Sequence, residues 1–101
     1  MRMIVMFDLP TETADNRRSY RQFRRGLIKN GFIMMQESVY TKLIITPSAQ
    51  ANVCNTIRKI KPPDGLVQIL TITEKQFSKM EYIIGEMKSD VIDSDERLVV
   101  L

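Results

Sequence analysis

The chain opens on a run that leaves little freedom for its fold: Met3-Ile4-Val5-Met6-Phe7-Asp8-Leu9-Pro10, with an arginine-studded segment directly behind it. Such an unbroken apolar run reads as a strand buried on both faces. It stops at a carboxylate, and Pro10, which has no N–H to donate, ends any ladder pairing. Where a strand gives way to a helix, a side chain reaches solvent while its backbone stays rigid. Asp8 is therefore either a catalytic or metal-binding carboxylate, or a plain cap on the turn.

The segment that follows bears on that choice. Between Asn16 and Gln36 stand six bases (Arg17, Arg18, Arg21, Arg24, Arg25 and Lys29) and no acid. Tyr20, Phe23 and Leu27 fall on one narrow stripe at helical spacing and face a core, which turns the arginines outward. Ile28 breaks the pattern by lying among the bases. Thr13 as N-cap and Gly31 as the C′ glycine predict a helix from Ala14 to Asn30. A solvated face ordinarily mixes signs to gain i,i+4 pairs and avoid self-repulsion. Arginines with no carboxylate among them repel one another unless a polyanion neutralises them. Arg17, Arg18, Arg21, Arg24 and Arg25 are accordingly candidate nucleic-acid contacts.

Several function classes drop out. The 101 residues hold no histidine, which removes Ser-His-Asp and Cys-His machinery, His-containing zinc sites and any imidazole base within the chain. The four glycines are scattered and form no phosphate loop. Catalysis is left to carboxylates, a metal-activated water, or a base brought by the nucleic acid. The single Cys54 excludes an internal disulfide, fits a reducing cytosol, and lies in a helical stripe as a small core residue. No apolar run is long enough to cross a bilayer and no signal peptide is expected, so the expectation is a cytoplasmic protein without membrane contact. The net charge of +3 is mild but unevenly spread. Residues 81–96 hold six acids (Glu81, Glu86, Asp90, Asp93, Asp95 and Glu96) against one lysine, an acidic linker set apart from the basic helix.

Phe32 to Ile45 is rich in β-branched and aromatic residues but too long for one strand, so a break near Glu37-Ser38 or Tyr40–Lys42 should make it a hairpin. Thr46-Pro47-Ser48 opens a second helix with proline at N1, and Val53, Ile57 and Ile60 stripe its inner side. Lys61-Pro62-Pro63-Asp64-Gly65 turns into a strand, Leu66 to Thr73, expected to be mostly buried on both faces. Glu74 to Met80 reads as a short helical turn with Phe77 and Met80 facing the core. The order is the α+β, ferredoxin-like β-α-β-β-α-β, with an additional C-terminal strand. Residues 1–80 would form the domain, and residues 81–101 the linker and that strand. Leu98, Val99, Val100 and Leu101 leave a sticky edge that pairing with a second copy would satisfy, which points to a homodimer.

The apolar strand ending in Asp8, the helix with Arg17, Arg21 and Phe23, the Gln36-x-Ser38-Val39-Tyr40 segment and the separated Arg97–Leu101 strand together resemble the CRISPR-associated Cas two family. Phe7-Asp8-Leu9-Pro10 and Glu74-Lys75-Gln76-Phe77 look like the variant that accompanies Cas nine-type effectors. The similarity spans essentially the whole chain, although Phe7 stands where the family often has tyrosine. The resemblance implies a homodimer in which the two copies of Asp8 face each other across the two-fold axis. It implies a metal-dependent endonuclease acting on RNA or DNA, with Asp8 as catalytic residue and as ligand for Mg²⁺ or Mn²⁺. It also implies a bridge in spacer acquisition, holding double-stranded prespacer DNA between two dimers of the integrase partner, Cas one.

One carboxylate per subunit against several arginines favours the bridging role, with weak cleavage secondary. Backbone contacts of this kind would be sequence-independent. A small RNA-binding module on the same fold would need aromatic residues spaced to stack bases, and the core strands offer only Phe7. A ligand-sensing regulatory domain has no need of an all-basic helix, though fold alone does not separate it.

Overall fold

A computed structural model describes residues 1–86. Its elements are β1 (Arg2–Asp8), α1 (Ala14–Lys29), β2 (Ile33–Gln36), β3 (Val39–Leu43), α2 (Pro47–Ile60), β4 (Leu66–Ile72) and α3 (Glu74–Ser78). The strands form one antiparallel sheet in the order β2-β3-β1-β4. Two β-α-β units are thus interleaved, which is the ferredoxin-like arrangement.

The opening run becomes the interior strand, as its composition demands. Met3, Val5 and Phe7 alternate into the core, and Ile4 on the other side is only 8% exposed. Phe7 meets the rings of Phe23 at 5.2 Å edge-on, Tyr20 at 5.8 Å and Tyr40 at 5.8 Å, tying β1 to α1 and β3. Leu27, Phe32, Ile44 and Ile57 complete the cluster. Burying each such side chain contributes about 1.5–3 kcal/mol.

Local signals set the helix ends. Thr13 Oγ1 accepts from the Asn16 N–H at 3.0 Å, capping α1 as expected. At the other end Asn30 is the cap, so the helix stops at Lys29. Gly31, with φ +90°, then lets the N–H of Phe32 donate to Leu27 O and its own N–H donate to Ile28 O. Thr46 caps α2 through the Ala49 N–H, with Pro47 at N1. Phe32–Ile45 does break into a hairpin, turning at Glu37-Ser38, with a register shift between Met34 and Gln36.

Two expectations fail. β4 is not buried on both faces: Leu66, Gln68 and Leu70 are exposed while Val67 and Ile69 are half-buried. Among the described residues it is an edge strand, and neither α1 nor α2 covers the face that carries Leu66, Gln68 and Leu70, so these residues lie on an open surface. Met80 is 38% exposed rather than core-facing, because α3 ends at Ser78. Phe77 instead lies under the Arg2 guanidinium at 4.5 Å, and Arg2 also grips Glu74 with two bonds of 2.8 and 3.0 Å. Arg97–Leu101, including Leu98, Val99, Val100 and Leu101, and the acidic residues beyond Glu86 lie outside the described residues.

Candidate nucleic-acid interface and strand-end carboxylate

Strand alternation decides where Asp8 looks. Met3, Val5 and Phe7 point into the helix layer, so Arg2, Ile4, Met6 and Asp8 occupy the opposite face. The register extends that face across the sheet, pairing Ile4 with Thr41 and Leu70, Met6 with Val39 and Gln68, and Asp8 with Leu66. Leu43, Leu66 and Leu70 on it are each about half exposed, at 46%, 53% and 50%. Asp8 is exposed at its rim and has no side-chain hydrogen bond or ion pair among the described residues. The plain-cap reading loses ground here, since Thr13 performs the capping. Gly65 lies close against the backbone that carries this carboxylate: a Cβ added there would meet Asp8 O at 2.8 Å.

α1 lies on the other side of the sheet, and all five candidate arginines on it are exposed. They are not equivalent. Arg17 donates to the carbonyls of Thr11 and Glu12 at 3.1 and 3.2 Å, bracing the β1–α1 loop. Arg18 pairs with Asp15 at 3.7 Å. Arg24 approaches the buried Tyr40 hydroxyl without completing a hydrogen bond, which leaves that hydroxyl without a partner. Burial raises the Tyr40 pKa above 10, and the Arg24 charge opposes the rise. Arg21, Arg25 and Lys29 have no acidic or hydrogen-bonding partner among the described residues and are the cations most available to a polyanion. Ile28 sits among them, 47% exposed as its position predicts.

The fold therefore gathers the arginines along one helix and holds Asp8 away from them, on the far side of the sheet. Sequence reading did not find the open apolar sheet face. Nor did it find the exposed bases of the second helix end, Arg58, Lys59 and Lys61, although the absence of any acid between Pro47 and Lys61 was a legible signal.

Against known proteins, the family profile of CRISPR associated protein Cas2 matches residues 1–80. The chain belongs to the Cas2 family. A Treponema denticola relative, named CRISPR-associated endoribonuclease Cas2, is 55% identical over 101 residues, the full length of both chains. One from Streptococcus mutans with the same name is 48% identical, covering all of this chain and 93% of its own. One from Lacticaseibacillus rhamnosus is 44% identical over the full length of both. A crystal structure of Cas2 from Streptococcus pyogenes superposes with a TM-score of 0.64 over 82% of this chain and 99% of its own. At 19% identity that likeness speaks for the fold alone.

Within this Cas2 sheet, Phe7 and Asp8 point to opposite faces. A tyrosine hydroxyl at position 7 would enter the Tyr20–Phe23–Tyr40 cluster rather than reach the carboxylate. Asp8 would offer a metal one exposed carboxylate, and no group of three or more ligating side chains exists among the described residues. That fits Mg²⁺ or Mn²⁺, hard cations that keep several waters and take one or two carboxylates plus a substrate phosphate. No helix among the described residues is long and apolar enough to cross a membrane.

Proposed function

We propose that this chain works as a homodimeric DNA-holding subunit of spacer acquisition, bridging dimers of the integrase partner Cas one, with phosphodiester cleavage at Asp8 as a secondary activity. The observation that carries the reading is the row Arg21, Arg25 and Lys29, exposed on α1 and unneutralised among the described residues. Guanidinium forks match phosphate oxygens bidentately and hold a backbone without reading its bases. The open sheet face, with Leu66 and Leu70 half exposed beside Ile4 and Met6, supports a second copy stacking there. Such stacking would bring a second Asp8 towards the first, and two carboxylates suit a hydrated divalent cation better than one.

The cleavage reading draws support from the relatives' name, endoribonuclease, and from the free Asp8 carboxylate. Asp8 would hold Mg²⁺ or Mn²⁺. When bound, the cation supplies positive charge to the scissile phosphate and acidity to the attacking water. Asp8 itself contributes a fixed anionic oxygen on a rigid strand end. The chain offers no imidazole to take the proton, which suits a slow reaction.

Neutralising Arg21, Arg25 and Lys29 together to glutamine should weaken binding of a duplex of arbitrary sequence. It should reduce the log–log salt slope by about 2.7, at about 0.9 per phosphate contact. Arg17 is left intact because its loop bonds are structural. Asp8→Asn should fold, bind DNA and support reconstituted integration, while metal-dependent cleavage falls by orders of magnitude. An unchanged salt slope would refute the DNA face, and lost integration in a folded Asp8→Asn protein would move cleavage to the centre.

A further inference from the structure

We infer that the DNA-holding surface spans two helices, with Lys59 and Lys61 at the end of α2 taking the second backbone of a duplex whose first backbone lies on α1; this rests on the DNA-holding reading above. The two helices meet closely. A Cβ at Gly26 would come within 2.8 Å of Ile60 Cδ1, and Asn16, Ser19 and Tyr20 of α1 share a cleft with Pro62 and Pro63 just beyond α2. The C-terminal end of α2 thus abuts the middle of α1.

Helical geometry then sets which side chains look away from the sheet. On α1, opposite the Tyr20–Phe23–Leu27 stripe, positions 18, 22, 25 and 29 place Arg18, Gln22, Arg25 and Lys29 outward. On α2, opposite the buried Ile57 and half-buried Val53 and Ile60, positions 55, 58 and 59 place Asn55, Arg58 and Lys59 outward, and Lys61 follows as the exposed cap. Arg58 bonds Asn55 Oδ1 at 3.1 Å, which leaves Lys59 and Lys61 as the cations of this helix end with no hydrogen-bond or acidic partner among the described residues. Two acids lie near this surface: Asp15, paired with Arg18 at 3.7 Å, and Asp64, which lines the same cleft and keeps its charge while its Oδ1 accepts from the Gly65 N–H at 2.9 Å.

Bases in the last turn of α2 also suit the helix dipole, which would account for them without any ligand. The dipole does not account for their abutting a second cationic stripe, where like charges repel. Helix axes packed about 8–10 Å apart, each carrying long flexible Lys or Arg side chains, put two lines of cations within reach of the phosphate rows on either side of a DNA groove about 6 or 12 Å wide. A duplex offers two such phosphate rows, and a single strand offers one.

The test is Lys59→Gln with Lys61→Gln in the full chain, titrated with a short duplex and a single strand of equal length over a salt series. The slope on duplex should fall by about 1.8, at about 0.9 per contact, and on single strand by less than half of that. A charge-matched control, Lys75→Gln with Lys79→Gln at the exposed end of the chain's third helix, should leave both slopes unchanged. Lys59→Arg with Lys61→Arg should behave as the parent. An unmoved duplex slope, while the α1 triple variant lowers it, overturns the two-helix surface and leaves the α1 face standing. Equal falls on duplex and single strand, or an equal fall in the control, also overturn it. If neither helix's variants change the slope, the DNA-holding reading itself fails.

Discussion

Replacing Gly65 by alanine should be among the most damaging single-methyl changes available to this chain. Gly65 has φ +101°, where an L side chain is disfavoured by about 1–2 kcal/mol. The added Cβ would lie 2.7 Å from Leu9 Cδ2, 2.8 Å from Asp8 O and 3.1 Å from Leu9 Cα. Two of those atoms are backbone at the end of β1, pinned by the Asp8–Leu66 pairing, so they cannot rotate aside as a side-chain tip can. Relieving the overlap by bending angles costs a further 1–2 kcal/mol or so, giving about 2–4 kcal/mol in total. For a domain of this size that lowers Tm by about 10–25 °C. Gly31→Ala is the internal comparison. Its φ is +90°, but its Cβ would meet only the mobile Lys42 Nζ at 2.6 Å, displacing that group from Asn30 O. It should cost about 1–2 kcal/mol. Urea unfolding followed by far-ultraviolet circular dichroism would rank the two. A Gly65→Ala protein no less stable than Gly31→Ala would refute the claim that the β1 end is rigid where it carries Asp8.

Two further perturbations probe the core and the chain's far end. Tyr40→Phe removes a buried hydroxyl with no hydrogen-bond partner, so stability should hold or rise by up to about 1 kcal/mol. Because the folded pKa of Tyr40 is raised, its contribution is intact below pH 10 and is lost as pH climbs above it; the variant should lose less stability than the parent in alkaline urea melts. Arg2→Ala breaks a two-bond ion pair with Glu74 and a guanidinium stacked on Phe77, and should cost about 1 kcal/mol. That loss should appear as faster amide exchange confined to Glu74–Ser78, and exchange spreading into β1 would show that the clamp holds more than α3.

What was legible in the sequence is what neighbouring residues decide. Thr13 and Gly31 marked the ends of α1 because capping is settled within a turn, and the density of apolar residues marked β1 as interior. β4 was misread because Leu66, Leu70 and Ile72 are apolar for a surface, and composition does not say whether that surface is a core or an open face. Asp8 could be picked out by its place after an apolar run, and its parity with Ile4 and Met6 was visible too. Which face α1 would cover was not, because handedness and packing decide it. The uneven availability of the arginines was equally hidden: the bonds of Arg17 to Thr11 and Glu12, and of Arg18 to Asp15, exist only once the loop is folded.

The sheet between Asp8 and the arginines acts as a partition. A strand lying along α1 has to travel around an edge of the domain before any of its phosphodiesters can meet Asp8 on the same protomer. On the proposed reading, whatever the helices hold is kept apart from the Asp8 carboxylate, so a scaffold with this layout would not erode its own cargo. The two properties can drift separately under selection: the carboxylate can be lost without loosening the grip, and the grip retuned without altering the chemistry. An inhibitor aimed at one side would leave the other working.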